Sequence, residues 1–150
     1  MTWPSTCLSP SSDDLIGLES YVVLSAQEIG DLPDLTVMPA QLHSTPETRV
    51  QEGRLSWRGT GDGLNLIAHG PYVYLPKGTY RVVIKGRCSG QIRFAVQENF
   101  GDQIFVTDLP AGEDVSLNVP LIFDAVKMEV AFWGGRDAVL DLERVEFWRI

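Results

Sequence analysis

The side chains best suited to chemistry in this chain are aromatic rings that stand beside polar groups at predicted turns. Trp57 and Arg58 precede the turn at 59–63, and Trp133 leads into a second glycine-rich turn. An aromatic face packs against the C–H face of a ligand ring, and nearby polar groups fix its hydroxyls. This pattern is typical of carbohydrate recognition. The candidate ligand-binding residues are Trp57, Arg58, Tyr72, Tyr74, Trp133, Arg136 and Asp137.

These residues divide into two predicted sites, at a loop end and on a sheet face. The loop end holds Trp57, Trp133, Arg136 and Asp137, and we favour it over the face that carries Tyr72 and Tyr74. Two other interpretations stay open, because Trp and Tyr often pack in a core and also anchor protein interfaces. Nine arginines against three lysines favour planar hydrogen bonding to carboxylates or to a partner protein.

Motifs for catalysis are absent from the sequence. There is no phosphate-binding loop, no Gly-x-Ser-x-Gly elbow and no His-Glu-x-x-His pair. His43 and His69 stand alone, and we expect His69 to be a partly buried or edge residue that is hydrogen-bonded to backbone. The sequence therefore predicts a protein that is not an enzyme and needs no cofactor.

Charge and composition exclude several classes of partner. Lys+Arg 12 against Asp+Glu 20 gives a net charge of −8, which repels phosphate backbones and anionic lipid. No apolar run approaches the roughly 20 residues of a membrane span. We expect no nucleic-acid partner and no membrane insertion. Cys7 and Cys88 are expected to be free thiols.

The N-terminus lacks the charged and apolar regions of a signal peptide. We therefore expect synthesis in the cytoplasm. Later release, or incorporation into a virion-like particle, stays open.

Two-residue alternation of apolar and polar side chains dominates from Gly53 onward, and glycine and proline interrupt it every 8–12 residues. This pattern predicts antiparallel strands with one face in a core. We expect an all-β fold, a two-sheet antiparallel β-sandwich of jelly-roll type, with nine or ten strands. The inward residues are predicted to be Tyr80, Val82 and Ile84; Ile92, Phe94 and Val96; Val115, Leu117 and Val119; and Val126, Met128, Val130 and Phe132.

The last strand changes parity between its two apolar pairs. Leu140 and Leu142 share one parity, and Val145 and Phe147 share the other. A β-bulge near Glu143–Arg144 would place all four on the core side.

The predicted domain organisation is simple. Residues 1–14 form a flexible N-terminal arm, and 15–150 form a single sandwich domain. Within this domain, residues 15–29 are predicted to form an opening strand or a short helical turn. Residues 30–53 are predicted to form a long irregular connection.

One segment resembles a known family. Gly70–Val82 reads GPYVYLPKGTYRV and resembles the GPY-x-x-LP-x-G-x-Y-x-V hairpin of carbohydrate-binding-module-like β-sandwiches. Such domains accompany bacterial glycosyltransferases and other polysaccharide-handling proteins. The resemblance covers about residues 60–150, with Val126–Trp133 as the penultimate strand and 142–147 as the closing one.

The resemblance implies a non-catalytic module whose partner is an oligo- or polysaccharide. It also implies a structural calcium ion between acidic residues of the first and last strands, here Glu28 and Glu143. The sequence departs from the family in lacking an acidic-Ala-acidic opening.

A second class of function is also compatible with the sequence. The Ser- and Pro-rich arm and the prolines of 30–53 suit a structural or interaction subunit of a phage-like particle or other assembly. Such a spike, tail or capsid decoration would be a homo-oligomer and could itself bind cell-surface glycans.

Overall fold

The computed structural model describes residues 32–99 and 101–150. These residues form eleven strands and a single 3₁₀ turn at Pro39–Gln41. The strands are β1 (Leu35–Val37), β2 (His43–Ser44), β3 (Arg49–Gln51), β4 (Arg54–Arg58), β5 (Asn65–Leu75), β6 (Gly78–Ser89), β7 (Ile92–Glu98), β8 (Asp102–Asp108), β9 (Gly112–Leu121), β10 (Ala125–Gly134) and β11 (Val139–Arg149).

The strands build two antiparallel sheets. A six-stranded sheet has the order β9-β6-β11-β4-β3, and β1 also pairs with β11. A five-stranded sheet has the order β2-β5-β10-β7-β8. The predicted all-β, two-sheet antiparallel sandwich is confirmed.

The core lies between the sheets and follows the predicted alternation. Tyr80, Val82 and Ile84 of β6 are buried, and Ile92, Phe94 and Val96 of β7 are buried against them in one cluster. The phenol of Tyr80 donates a 2.6 Å hydrogen bond to the carbonyl of Pro76, so its polar end is satisfied.

The predicted bulge in the closing strand is confirmed. The register of β11 against β6 shifts between Leu142 and Arg144. Because of this extra residue, the two parities of β11 meet on one side, and all four of its apolar side chains are in the core: Leu140, Leu142, Val145 and Phe147.

The expectation for Val126 is wrong, because β10 contains a bulge that the pattern did not reveal. Ala125 pairs with Leu75 and Met128 pairs with Val73, so Val126 and Lys127 together oppose one residue of β5. Ala125 and Met128 therefore both face the core, while Val126 is 63% exposed.

The segment before β4 holds short elements on both sheets. Within 32–53, β1 pairs with the closing strand β11 and β2 pairs with β5. The proposed arm 1–14 and opening strand 15–29 lie outside the described residues, so the domain organisation stays a prediction. No helix among the described residues has the length and apolar character to cross a membrane.

Cys88 is a free, buried thiol whose Sγ donates to the carbonyl of Pro110. Burial raises the pKa of this thiol, which keeps it protonated and unreactive. Cys7 lies outside the described residues.

Gly86 tests how tightly the closing bulge is packed. It has φ +141° and pairs with Leu142, and an added Cβ would overlap the carbonyl oxygen of Asp141. Gly86→Ala should lower the free energy of unfolding by about 1–3 kcal/mol more than Gly112→Ala does. Gly112 is the matched control, because it has φ +144° and open space around it. Urea unfolding of both variants measures the difference, and equal losses would contradict the packing described here.

Candidate functional site

The candidate site lies on the outer face of the five-stranded sheet, which points away from the other sheet. Glu129, Ala131 and Trp133 of β10 alternate with core residues and therefore occupy this face. Ala131 pairs with His69 on one side and with Ala95 on the other, and Trp133 pairs with Leu66 and Arg93. The two alanines are short, so they form a low row between Trp133 and the larger side chains around Glu129.

A polar network surrounds Glu129, whose side chain is almost fully buried although it is on the outer face. We call it the Tyr72 cluster, and its members are His43, His69, Tyr72, Gln97, Gln103 and Glu129. Glu129 is 3% exposed and pairs with Gln97 across the strands. The amide of Gln97 donates to Glu129 Oε2 over 3.0 Å, and the amide of Gln103 donates to Gln97 Oε1 over 3.3 Å. These bonds compensate for the removal of a carboxylate from water.

The rings of His69 and Tyr72 complete the contacts of this carboxylate. His69 Nδ1 lies 3.2 Å from Glu129 Oε1 and 2.9 Å from the hydroxyl of Tyr72. The ring of His43 packs at 5.3 Å from that of His69 and 5.8 Å from that of Tyr72, measured between centroids. Three rings are thus held together above one buried anion, which fixes their orientation.

Tyr72 carries two signs of a specialised position. Its φ is +69°, a conformation that is uncommon and costly for a residue with a side chain. Burial raises the pKa of its phenol, and the hydrogen bond and negative charge of Glu129 raise it further. Tyr72 is therefore a neutral hydrogen-bond donor at physiological pH.

Of the predicted loop-end site, the structure brings Trp57 and the turn of Asp137 together, and there they form a closed end of the sandwich. Trp57 is 6% exposed, and its benzo edge lies against Gly59 and Gly134, where an added Cβ would overlap the ring. Backbone hydrogen bonds join Gly59 to Ala138 and Asp137 to Gly59. The face of Trp57 is consequently packed and not presented to a ligand.

The remaining predicted residues separate. Arg136 is exposed but engaged, since its Nη2 lies 2.6 Å from Asp62 Oδ1. Asp137 occupies the adjoining turn with φ +63°. Trp133 is half-buried on the outer face, beside the alanine row, and Tyr72 joins the cluster named after it. Tyr74 is exposed near the end of β5, and Arg58 is exposed on β4.

The sequence reasoning missed Glu129 and misjudged His69. The alternation of the strand places Glu129 on the outward, polar face without indicating its burial, and the sequence predicts a backbone hydrogen bond for His69. Instead, each contacts the other through its side chain. A signal existed, because Glu129 is the single carboxylate in the apolar strand AVKMEVAFWG.

The calcium expectation stays untested, because Glu28 lies outside the described residues. Glu143 is engaged by cations: Arg144 Nη1 donates to it over 2.6 Å, and Arg54 Nη1 lies 3.7 Å away. These contacts do not suit a calcium ligand. Within 32–99 and 101–150, no group of three or more His, Cys, Asp or Glu residues is placed to hold a metal ion.

Comparison with known proteins identifies the fold. No protein-family model matches the chain, and no curated protein matches it. A chain of the crystal structure of accessory secretory protein 1, 2 and 3 in Streptococcus pneumoniae matches with a TM-score of 0.51 and 12% identity. That match covers 74% of this chain and 98% of that one. A structure described as BiXyn10A CBM1 in its apo form matches with a TM-score of 0.52 and 12% identity, over 80% of this chain and 100% of that one. At this identity the similarity shows a shared β-sandwich fold.

Glu129→Gln should lower the pKa of Tyr72 toward that of a free phenol, because the substitution removes the charge that opposes phenolate formation. Ultraviolet titration of the phenolate band measures this, and Tyr72→Phe identifies the transition. Glu98→Gln on the neighbouring strand makes the same change in charge and should leave that transition in place. An unchanged Tyr72 transition in Glu129→Gln would contradict the contact.

Proposed function

We propose that this protein is a non-catalytic carbohydrate-binding module that holds an oligosaccharide on the outer face of its five-stranded sheet. The observation that carries the proposal is the buried Glu129 carboxylate, which orients His69 and Tyr72 on a face that also presents Trp133. A sheet face used for solubility alone would have no need for such a costly buried anion.

Each group has a distinct task in this proposal. The half-buried indole of Trp133 offers a flat apolar surface to the C–H face of a sugar ring. The phenol of Tyr72, the ring of His69 and the guanidinium of Arg93 supply hydrogen bonds to hydroxyls. Glu129 and Gln97 are too buried to be principal contacts, and they act as positioning residues.

The fold comparison supports the same class of function. One solved structure of similar fold is a carbohydrate-binding module, and it is matched along its full length.

A glycan array followed by calorimetric titration tests the proposal. We expect an oligosaccharide to bind with a millimolar to micromolar Kd, which corresponds to about −4 to −8 kcal/mol. Trp133→Ala should weaken this binding at least tenfold, because it removes the stacking surface. Trp148→Ala is the matched control, since Trp148 is a half-buried tryptophan of the other sheet, bonded to Glu146. Absence of any glycan response, or equal losses in the two variants, would refute the function.

A second candidate function, a subunit of a larger assembly, is favoured by an exposed apolar surface. We call this surface the Ile122 patch; it comprises Tyr74, Ile122, Phe123 and Val126. Ile122 is 81% exposed and Phe123 is 44% exposed, and the β10 bulge places Val126 opposite Tyr74. Exposed apolar patches of this kind mark contact surfaces. Another solved structure of similar fold is a chain of a structure that contains three accessory secretory proteins.

If the Ile122 patch joins two copies of this chain, sedimentation velocity should show a complex that grows with protein concentration. Ile122→Ser should abolish it, because the exposed apolar area is lost. Ile150→Ser, at a similarly exposed residue outside the patch, should leave it intact. A monomer at every concentration would exclude self-association through this surface.

A further inference from the structure

A groove crosses the edge of the six-stranded sheet and shares no residue with the Tyr72 cluster. Its volume is about 500 Å³, and a depression of about 190 Å³ adjoins it along Trp57, Arg58 and Thr60. Arg49 and Arg58 line the groove, and Glu47 lines both depressions. Arg49 pairs with Ser56, and Arg58 is two residues farther along β4. The two arginines are thus diagonal neighbours on adjacent strands, and their Cα atoms are about 7–8 Å apart. Both side chains can therefore reach one small group.

These two arginines differ from the others in the chain. Six arginines have ion pairs or side-chain hydrogen bonds, and a seventh, Arg81, lies over the ring of Trp148. The six are Arg54, Arg87, Arg93, Arg136, Arg144 and Arg149. Across residues 32–99 and 101–150, neither Arg49 nor Arg58 has an ion pair, a side-chain hydrogen bond or a ring contact. The two unpaired guanidinium groups therefore line the same groove, although the protein as a whole has a net charge of −8.

An unsatisfied donor lies in the wall of the same groove. Trp57 is 6% exposed, and its indole N–H has no acceptor in the part of the chain that the structure describes. A buried donor without a partner costs stability and calls for an explanation, such as a bound group. The hydroxyl of Thr60 and the amide of Asn65 add further polar groups to the adjoining depression.

The wall that carries Glu47 is held rigidly. The hydroxyls of Thr45 and Thr48 lie 3.0 Å apart, and Thr48 Oγ1 donates to the carbonyl of Ile67 over 3.1 Å. The backbone N–H of Thr45 donates to the same carbonyl. The turn between β2 and β3 is therefore fastened to β5, and Glu47 is presented at the groove without the entropic cost of ordering a loose loop.

We propose that this groove binds the carboxylate of an acidic sugar, a uronic acid residue of a polysaccharide. Arg49 and Arg58 bind the carboxylate, because guanidinium groups match its planar geometry. Glu47 and Asn65 form hydrogen bonds with the hydroxyls of the sugar. A ligand without hydroxyls would leave these two side chains unmatched. Recognition of the carboxylate rests on the two arginines, and its assignment to a sugar rests on the proposed function.

The test is NMR titration of the protein with glucuronate, with glucose as the neutral probe and acetate as the carboxylate without hydroxyls. Glucuronate should shift the indole N–H of Trp57, and it should bind more tightly than either other probe. The double variant Arg49→Gln/Arg58→Gln should weaken this binding at least tenfold, since two charge-assisted hydrogen-bonding groups are lost. Added salt should weaken it as well.

Arg87→Gln is the control for net charge, because Arg87 is exposed and its ion pair with Glu113 lies outside the groove. It should leave glucuronate binding unchanged. Equal binding of glucose, or full binding by the double variant, would overturn the groove as a carboxylate site. Equal binding of acetate would overturn its assignment to a sugar.

Trp133→Ala separates this proposal from the proposed function. It should weaken oligosaccharide binding on the outer face at least tenfold and leave the glucuronate response of Trp57 intact. Loss of the glucuronate response in Trp133→Ala would show that the groove has no site of its own, and would overturn the inference.

Discussion

Alternate side chains of a β-strand point to opposite faces, and a two-sheet sandwich can accept only one of these faces into its core. This constraint organises the whole protein. Two bulges satisfy it: β11 is bulged near Glu143–Arg144, where its apolar pattern changes parity, and β10 is bulged at Val126–Lys127, between the core residues Ala125 and Met128. The first bulge keeps four apolar residues in the core. The second exposes Val126 and returns the strand to the parity that places Glu129 and Trp133 on the outer face.

That outer parity explains how the proposed binding surface arises on a folded scaffold. Removing a carboxylate from water is costly unless hydrogen bonds replace the lost solvation. Around Glu129, residues from the two neighbouring strands provide these bonds, and the same bonds hold His69 and Tyr72 in place. The stability of the polar network and the orientation of the proposed sugar contacts therefore have one origin.

The sequence could predict the sheets and the closing bulge, because alternation and parity are local properties. It could not predict the bulge in β10, where Ala125 and Val126 are both apolar and either could face inward. It also could not predict the Glu129–His69 contact, which joins residues sixty positions apart through strand register. Trp57 shows the same limit: its position before a turn predicts exposure, yet Gly59 and Gly134, which are far apart in sequence, close around its ring.

Sugar binding on the outer face of the five-stranded sheet, as we propose it, is best tested by backbone and side-chain NMR mapping with a bound oligosaccharide. We expect the largest shifts on the indole of Trp133 and on the rings of His69 and Tyr72. Shifts confined to the turn that holds Arg136 and Asp137, with the Tyr72 cluster unchanged, would contradict it.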